Sequence, residues 1–493
     1  MKKILTWKPS AKLVAAGFIV ILAMTLIPLL RLAVYAVPWY DDYMFGLYMK
    51  RAVEADGGLF DMIRAACESA RIEWYAWQGT FSSVFFMTFM PAAWGEQYYF
   101  IGPVLLILLL TLSVCALTHV LARDVCGFDR ASVLSMQAAA SAMVLMFIYT
   151  AQEGFYWYNG GVHYVGMHSF LLLVLAMAVK LLKTKKRVLS VLLVPGTAVG
   201  ALLPAGSNYV TALQGLLALL LVAGVGVLVR NRRAFLLIPS LIVYGVGFFK
   251  NVTAPGNDKR MEFFTDWGYG PVEAVLRSFW EAFRHLGEFG GLITIAVLVL
   301  FAPMIWRAVK ASRFAFPAPA LVLAASVCLY ASGFTPSLFS LGHAGLSRAL
   351  NAVKITFQLL LIINEVYWMG YLCRRLEKKG RRLPEGLCVW WFYPIVGAVM
   401  LLIFSAASNQ AGNYSAYGAY YYVHTGEAYN FYHEYLERVE KLKGDEPNVE
   451  VRAYAFRPWF LCKGDWAENA GGDVNRAVAV WYDKDTVVCV PRE

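Results

Sequence analysis

The 493-residue chain is 59% hydrophobic and 15% aromatic but only 16% charged, against about 25% charged residues in soluble domains, and its mean hydropathy is positive. That composition excludes an ordinary water-soluble domain and predicts an all-α polytopic membrane protein. The net charge of +11 follows the loops described below, so it reads as a topology signal and not as a nucleic-acid-binding surface.

A bilayer core of about 30 Å needs roughly 20 apolar residues per helix. About eleven runs qualify, at 13–37, 98–122, 131–150, 163–182, 188–204, 209–229, 234–250, 290–306, 317–333, 349–372 and 388–407. The fifth is short and broken by Pro195 and Gly196. The first is too long, and lacks a convincing small-residue cleavage site, to be a removed signal peptide, so it is expected to be a retained span. Directly after it stands "PWYDDYMFG", which sets Asp41 and Asp42 where a span meets water.

Phe60, Ile63, Cys67, Ala70, Trp74 and Trp77 then recur at spacings of three and four, with Asp61, Arg64, Glu68 and Arg71 on the other faces. This predicts a helix lying in the membrane interface. A second such helix is expected from Pro271, carrying Val272, Leu276, Phe279, Phe283 and Leu286 on one face; either stripe would also suit packing on the bundle. Glu365, in "LIINEVYW", is the one clear acid inside a span. In the tail, Tyr429, Tyr432, Leu436, Val439 and Leu442 mark an amphipathic helix, and "PNVEVRAYAF" and "NRAVAVWYDKDTVVCV" read as β-prone. Cys462 and Cys489 both lie there, without a spacing that identifies a bridge, so their pairing stays open.

Lys and Arg concentrate in short cytoplasmic loops. With the N-terminus inside, "MKKILTWKPSAK", "ARDVCGFDR", "KLLKTKKR", "VRNRR", "WRAVKASR" and "CRRLEKKGRR" all fall inside, and together hold about half of the 44 basic residues. The expected organisation is a multi-spanning membrane domain over 1–407, with extracytoplasmic loops 38–97, 151–162 and 251–289, and a small extracytoplasmic α+β domain over 408–493. The outer segments are rich in Trp, Tyr, Asn, Asp and Gly, so any chemistry is expected there.

An Asp pair just after the first span, a long first outer loop with an interfacial helix, many further spans and a C-terminal cap resemble the GT-C glycosyltransferases. "EGFYWYNGGVHY" (153–164), "APGNDKR" (254–260), "GHAGLSR" (342–348) and "NRAVAVWYDKDTV" in the tail resemble, over most of the chain, an uncharacterised family of bacterial multi-spanning membrane proteins related to those enzymes. The resemblance implies a bacterial cytoplasmic-membrane enzyme moving a sugar from a polyprenyl-phosphate carrier to an extracytoplasmic glycan, glycolipid or protein acceptor, in contact with membrane lipid.

Attack of a hydroxyl on an anomeric carbon needs a base, and a carboxylate within hydrogen-bond reach serves. Asp41 and Asp42 are the catalytic candidates. The departing phosphate gathers negative charge that fixed cations stabilise; Arg260 and Arg348 are the candidates, with Lys250, His343 and Arg31 behind them. Glu153, His163 and Asn257, from the quoted motifs, complete the substrate-binding set. Each has a plainer reading: Asp42 as a helix cap with Asp41 merely solvated, Arg31 as a snorkelling cation, Glu153 and His163 in an aromatic interface belt, and "PGN" as a turn. Adjacent carboxylates can hold Mg²⁺ or Mn²⁺ but two supply too few ligands, so the cofactor stays open. The competing classes are a transporter or flippase of lipid-linked sugars, which Glu365 would suit, and a noncatalytic envelope-assembly protein.

Overall fold

Inside a bilayer each backbone N–H and C=O must be satisfied within the protein, which a helix does within its own segment. The computed structural model describes residues 7–263, 268–381, 389–406 and 414–492. Among these, nine helical segments are long and apolar enough to cross: Ala11–Ala33, Glu96–Val125, Tyr158–Lys183, Arg187–Ala205, Tyr209–Leu228, Arg232–Val252, Leu292–Ala311, Pro319–Leu341 and Ser347–Lys378. The chain is accordingly an α-helical multi-pass membrane protein.

The two other expected spans are shorter helices. Arg130–Met146 has 17 residues and runs along Ala11–Ala33, buried over most of its surface; its Ala and Ser side chains let neighbouring backbones approach, as membrane helices require. Phe392–Ala406 has 15 residues, and its flanks at 382–388 and 407–413, with the boundary expected at 407, lie outside the described residues. Pro195 and Gly196 do not break their helix, which runs unbroken over Arg187–Ala205.

The helix ends sort into two groups by contact. At one end Arg307 donates to the Pro9 carbonyl at 2.6 Å, Ser312 to Cys126 at 2.6 Å, Arg374 to Val309 at 2.6 Å and Arg233 to Leu181 at 3.0 Å, while Lys180 pairs with Asp124 at 2.8 Å. All of these belong to the basic loops. At the other end Lys443 pairs with Glu96 at 2.6 Å, Gln152 donates to Cys462 at 3.0 Å and Trp74 donates to Lys250 at 3.2 Å. The segments expected outside therefore share one end of the bundle.

The two amphipathic stretches form helices at Leu59–Ala76 and Pro271–Gly290. On the first, Phe60, Ile63, Cys67 and Trp77 face outward, but Ala70 is buried with Ala66 and Ser69 against the chain, so the outward stripe is interrupted where its periodicity predicts continuity. On the second, Val272, Leu276, Phe279, Phe283 and Leu286 are all exposed, while Ala274, Ser278, Glu281 and Ala282 turn inward. An apolar face outward and a small or polar face inward is the arrangement that lipid solvates.

Residues 414–492 build helices and two strands, β1 (Asn448–Arg452) and β2 (Thr486–Val490), paired in parallel with Val449 opposite Val487 and Val451 opposite Cys489. The run expected as strand over "NRAVAVWYDKDTVVCV" is half helix, Asp473–Trp481, because parallel strands need a crossover between them. The expected amphipathic helix forms as Glu427–Lys443; its buried residues include Phe431, Tyr435, Arg438, Val439 and Leu442, while Tyr429 and Leu436 are exposed. This tail shares one continuous apolar core with the first spans. Cys462 and Cys489 are free thiols.

Candidate functional site

Two neighbouring residues on a helix point about 100° apart, so Asp41 and Asp42, opening the helix Asp41–Glu54, enter different surroundings. Asp42 is fully buried. Its Oδ1 accepts the Asn159 N–H at 2.9 Å, and its Oδ2 accepts the Trp39 N–H at 2.9 Å and the Tyr99 hydroxyl at 2.7 Å. It thereby ties the entry to its own helix, the span Glu96–Val125 and the turn at 156–161. Burial pushes its carboxyl up to about 7, against the pull of these three donors. Both of its oxygens accept hydrogen bonds, so of the two candidate bases Asp42 is the one engaged by the fold.

Asp41 is half-buried and accepts no hydrogen bond from any described residue. Burial raises its carboxyl, while the Arg348 and Lys463 cations oppose that rise. These cations come from the start of the helix Ser347–Lys378 and from the tail.

The same two cations act on Glu153, which lies on the segment 150–166. That segment winds as a π-turn at Gln152–Tyr156, an α-turn at Tyr158–Gly161 and a second π-turn at Val162–Gly166, and π-turns frequently mark functional sites because they re-aim side chains. Glycine permits the tight winding: a Cβ on Gly160 would stand 2.3 Å from the Trp157 ring. Glu153 points inward, hydrogen-bonded to Lys463 and Ser347, with Arg348 at 3.7 Å. Burial raises its carboxyl, but these donors and cations more than offset it and hold the group below the usual range. The Trp157 ring sits between the two cations, 3.6 Å from Lys463 and 5.5 Å from Arg348.

Lys463 reaches this place because Gln152 donates to the Trp459 and Cys462 carbonyls. Asp465 holds the same loop, bonded to Arg438 and the Tyr454 N–H at 2.7 Å each.

Beside this cluster opens a cavity of about 420 Å³. Leu213, Phe248, Val252, Val275, Phe339 and Leu346 are among its apolar lining, and His163, Asn257 and Arg260 are among its polar lining. Arg260 lies over the Trp77 ring at 5.5 Å and donates to Gln78 at 3.1 Å. His163 sits in the fields of both Arg260 and Arg348, its buried Nδ1 without a hydrogen-bond partner among the described residues, so it lies between the cavity and the Arg348 side of the Asp41 cluster.

Asn257 has a different task. Its Oδ1 accepts from the Gly79 N–H at 2.9 Å and Tyr209 at 2.5 Å, and its Nδ2 donates to Asn251 at 2.8 Å and Val252 at 3.1 Å. The amide is saturated, so Asn257 fixes the cavity wall and offers no free group to a substrate. Gly79 is required there, since a Cβ would stand 1.8 Å from the Asn251 carbonyl. His343 is exposed, its Nδ1 taken up by the Gly345 N–H at 3.1 Å in its own turn, and it does not line the cavity.

The structure thus gathers Asp41, Glu153, His163, Arg260 and Arg348 at one end of the bundle, and leaves Asp42, Asn257 and His343 in local bonding. Sequence reasoning missed Lys463, Ser347, Trp157 and Gln78. Ser347 and Trp157 lie inside the quoted motifs; Lys463, in "LCKGDW", carries no periodic or motif signal. Among the described residues no group of three or more His, Cys, Asp or Glu is arranged to hold a metal ion, and Asp42, with both oxygens bonded, is not free to complete a pair with Asp41. Comparison of the chain with protein-family models, with curated proteins and with solved structures gives no match.

Proposed function

We propose that the protein is a GT-C-like glycosyltransferase of a bacterial cytoplasmic membrane, moving a sugar from a polyprenyl-phosphate carrier to an extracytoplasmic acceptor. The observations that support this reading are an apolar cavity, the Arg260 in its lining with Arg348 beyond His163, and Asp41, a carboxylate that accepts no hydrogen bond from the described residues. An isoprenoid chain needs the first and a phosphate the second; a nucleophilic hydroxyl needs the third. In this reading the lipid tail lies between Leu213, Phe248 and Val275, and Arg260 and Arg348 bond the phosphate oxygens. Asp41 takes the acceptor's hydroxyl proton as its oxygen bonds the anomeric carbon. The bond from that carbon to the phosphate oxygen breaks, and its electron pair leaves with the lipid phosphate. Arg348 and Lys463 favour the ionised Asp41 that a base must be. Asp42 holds the helix that aims Asp41, and Glu153 holds Lys463 and Arg348.

The orientation belongs to the same proposal: N-terminus in the cytoplasm, the Asp41 cluster and tail outside. A reporter active only in the cytoplasm, fused after Lys379, should be active, and fused at the C-terminus it should be silent; an active C-terminal fusion removes the donor and acceptor geography together.

One observation favours a flippase as the second reading. Glu365 has a buried Oε2 with no hydrogen-bond partner among the described residues, about 25 Å along its helix from Arg348. The two readings separate in proteoliposomes holding a radiolabelled polyprenyl-phosphate sugar and envelope glycan. Covalent labelling of the glycan that disappears in Asp41→Asn supports the transferase. Translocation of the intact donor without labelling, lost in Glu365→Gln, replaces it.

A further inference from the structure

A second depression, of about 360 Å³, lies between the helices Asp41–Glu54 and Asp473–Trp481. From the first, Tyr40, Met44, Leu47, Tyr48 and Arg51 contribute one face at spacings of three and four; from the second, Asp473, Arg476, Ala477 and Val480 contribute the other. Its walls are held apart at a fixed distance, because Tyr43 packs edge-on against Trp481 with centroids 5.5 Å apart and Lys50 lies 5.6 Å over the same Trp ring. Its volume falls within the roughly 300 to 1,000 Å³ of small-molecule sites.

The lining is of two kinds. Tyrosine rings, Met44 and Leu47 give an apolar floor with phenolic edges, while Arg51 and the Arg476–Asp473 pair give donors and an acceptor on the rim. A lipid chain would leave those rim charges unmet, and an anionic headgroup would meet Asp473. A sugar ring satisfies both kinds of surface: its C–H face lies on an aromatic ring, and its hydroxyls accept from Arg and donate to Asp.

The depression also adjoins the Asp41 cluster. Tyr40, on its wall, has φ 20° and ψ −85°, outside the regions open to L residues. Such strain persists only where surrounding structure imposes it, and it collects at sites of function. The residue after it is Asp41, and Tyr40 sits in the fields of both Asp41 and Asp473.

We propose that this depression is the acceptor subsite, holding a carbohydrate on Tyr40 and Tyr48 between Arg51, Arg476 and Asp473, with its reacting hydroxyl directed past Tyr40 to Asp41. The subsite's role as acceptor rests on the transferase reading, whereas its occupation by carbohydrate is tested apart from it. The acceptor is thereby a glycan, in preference to a protein.

The test uses the full chain in nanodiscs, with oligosaccharides released by mild acid from the envelope of the native host as the probe. Saturation-transfer NMR should show sugar ring protons in contact with the wild type, and Tyr48→Ala, Arg51→Ala and Arg476→Ala should each weaken binding about tenfold. These side chains lie at the surface of the fold, and unchanged thermal unfolding of each variant keeps the comparison valid. No contact with the wild type, or equal binding by all three variants, overturns the proposal. Retention of polyprenyl phosphate, measured on the same preparations and on Arg260→Ala, reports the donor side separately. Sugar binding without lipid retention leaves the subsite standing and removes the donor; the reverse removes the subsite alone.

Discussion

Asp41 and Asp42 are adjacent, equal in chemistry and opposite in expected effect, so their replacement tests the roles assigned here most sharply. Asp42→Ala strands three donors, the Trp39 and Asn159 N–H groups and the Tyr99 hydroxyl. At about 1–3 kcal/mol for each buried group left unpaired, and with Tyr99 able to turn to the Tyr156 carbonyl at 3.3 Å, two groups stay unpaired and the expected loss is about 2–6 kcal/mol of stability. Asp42→Asn keeps the shape and still accepts from Asn159, and its NH₂ can donate to the Tyr99 oxygen. That same NH₂ faces the Trp39 N–H, so one bond is lost, costing about 1–3 kcal/mol. Asp41→Asn breaks no hydrogen bond among the described residues and should shift stability by no more than about 0.5 kcal/mol, yet lower transfer about 10²- to 10⁴-fold. The assay is thermal unfolding in detergent paired with sugar transfer, both normalised to folded protein. If Asp42→Asn melts like the parent but transfers nothing, while Asp41→Asn transfers at the parental rate, the assignment is reversed and the reasoning from hydrogen-bond geometry fails.

Other consequences can be measured with the same preparations. Lys463→Met removes the partner of a buried carboxylate, which costs about 3–5 kcal/mol in comparable pairs; the tail should become sensitive to limited proteolysis, and Ser347→Ala should have a smaller effect. Gly160→Ala puts a methyl 2.3 Å from the Trp157 ring, so overpacking of about 1–3 kcal/mol should accompany loss of transfer, with a red-shifted Trp emission if the ring is displaced. Because burial raises the Asp41 carboxyl, the acid limb of kcat/KM should lie above the usual carboxylate range, with activity rising as pH rises through it; a flat profile down to pH 4 would exclude Asp41 as base. Glu153 behaves with the opposite sign. Its folded carboxyl is held low, so its stabilisation is present above the unfolded value of about 4.3 and lost as pH falls through the folded one, which Glu153→Gln should abolish in acid unfolding curves.

The sequence by itself determined the class of the protein, most of its long apolar helices and which loops share an end. Hydrophobic length is a local property and lipid demands it continuously, so nine of the expected runs return as long helices. Lys and Arg placement is equally local, and the basic loops meet at one end as their charge predicts. The segments bearing Glu153, His163, Arg260 and Arg348 were legible too, as aromatic and charged runs between spans. What each residue does was not legible. Asp41 and Asp42 differ only in the direction their side chains leave one helix, and nothing in "YDDY" says which meets Tyr99 and which meets Arg348. Asn257 looks like a polar group on offer until Gly79 and Tyr209, far off in the chain, claim its amide. Lys463 stands 310 residues from Glu153, and no periodicity spans that distance. The outward stripe on Leu59–Ala76 and the helix within "NRAVAVWYDKDTVVCV" were likewise settled by what packs against them. Local patterning fixes where a chain meets lipid or water, because those solvents act on each segment alone. Only tertiary structure decides which of two like groups is bonded and which is left free, because that depends on partners brought from elsewhere in the chain.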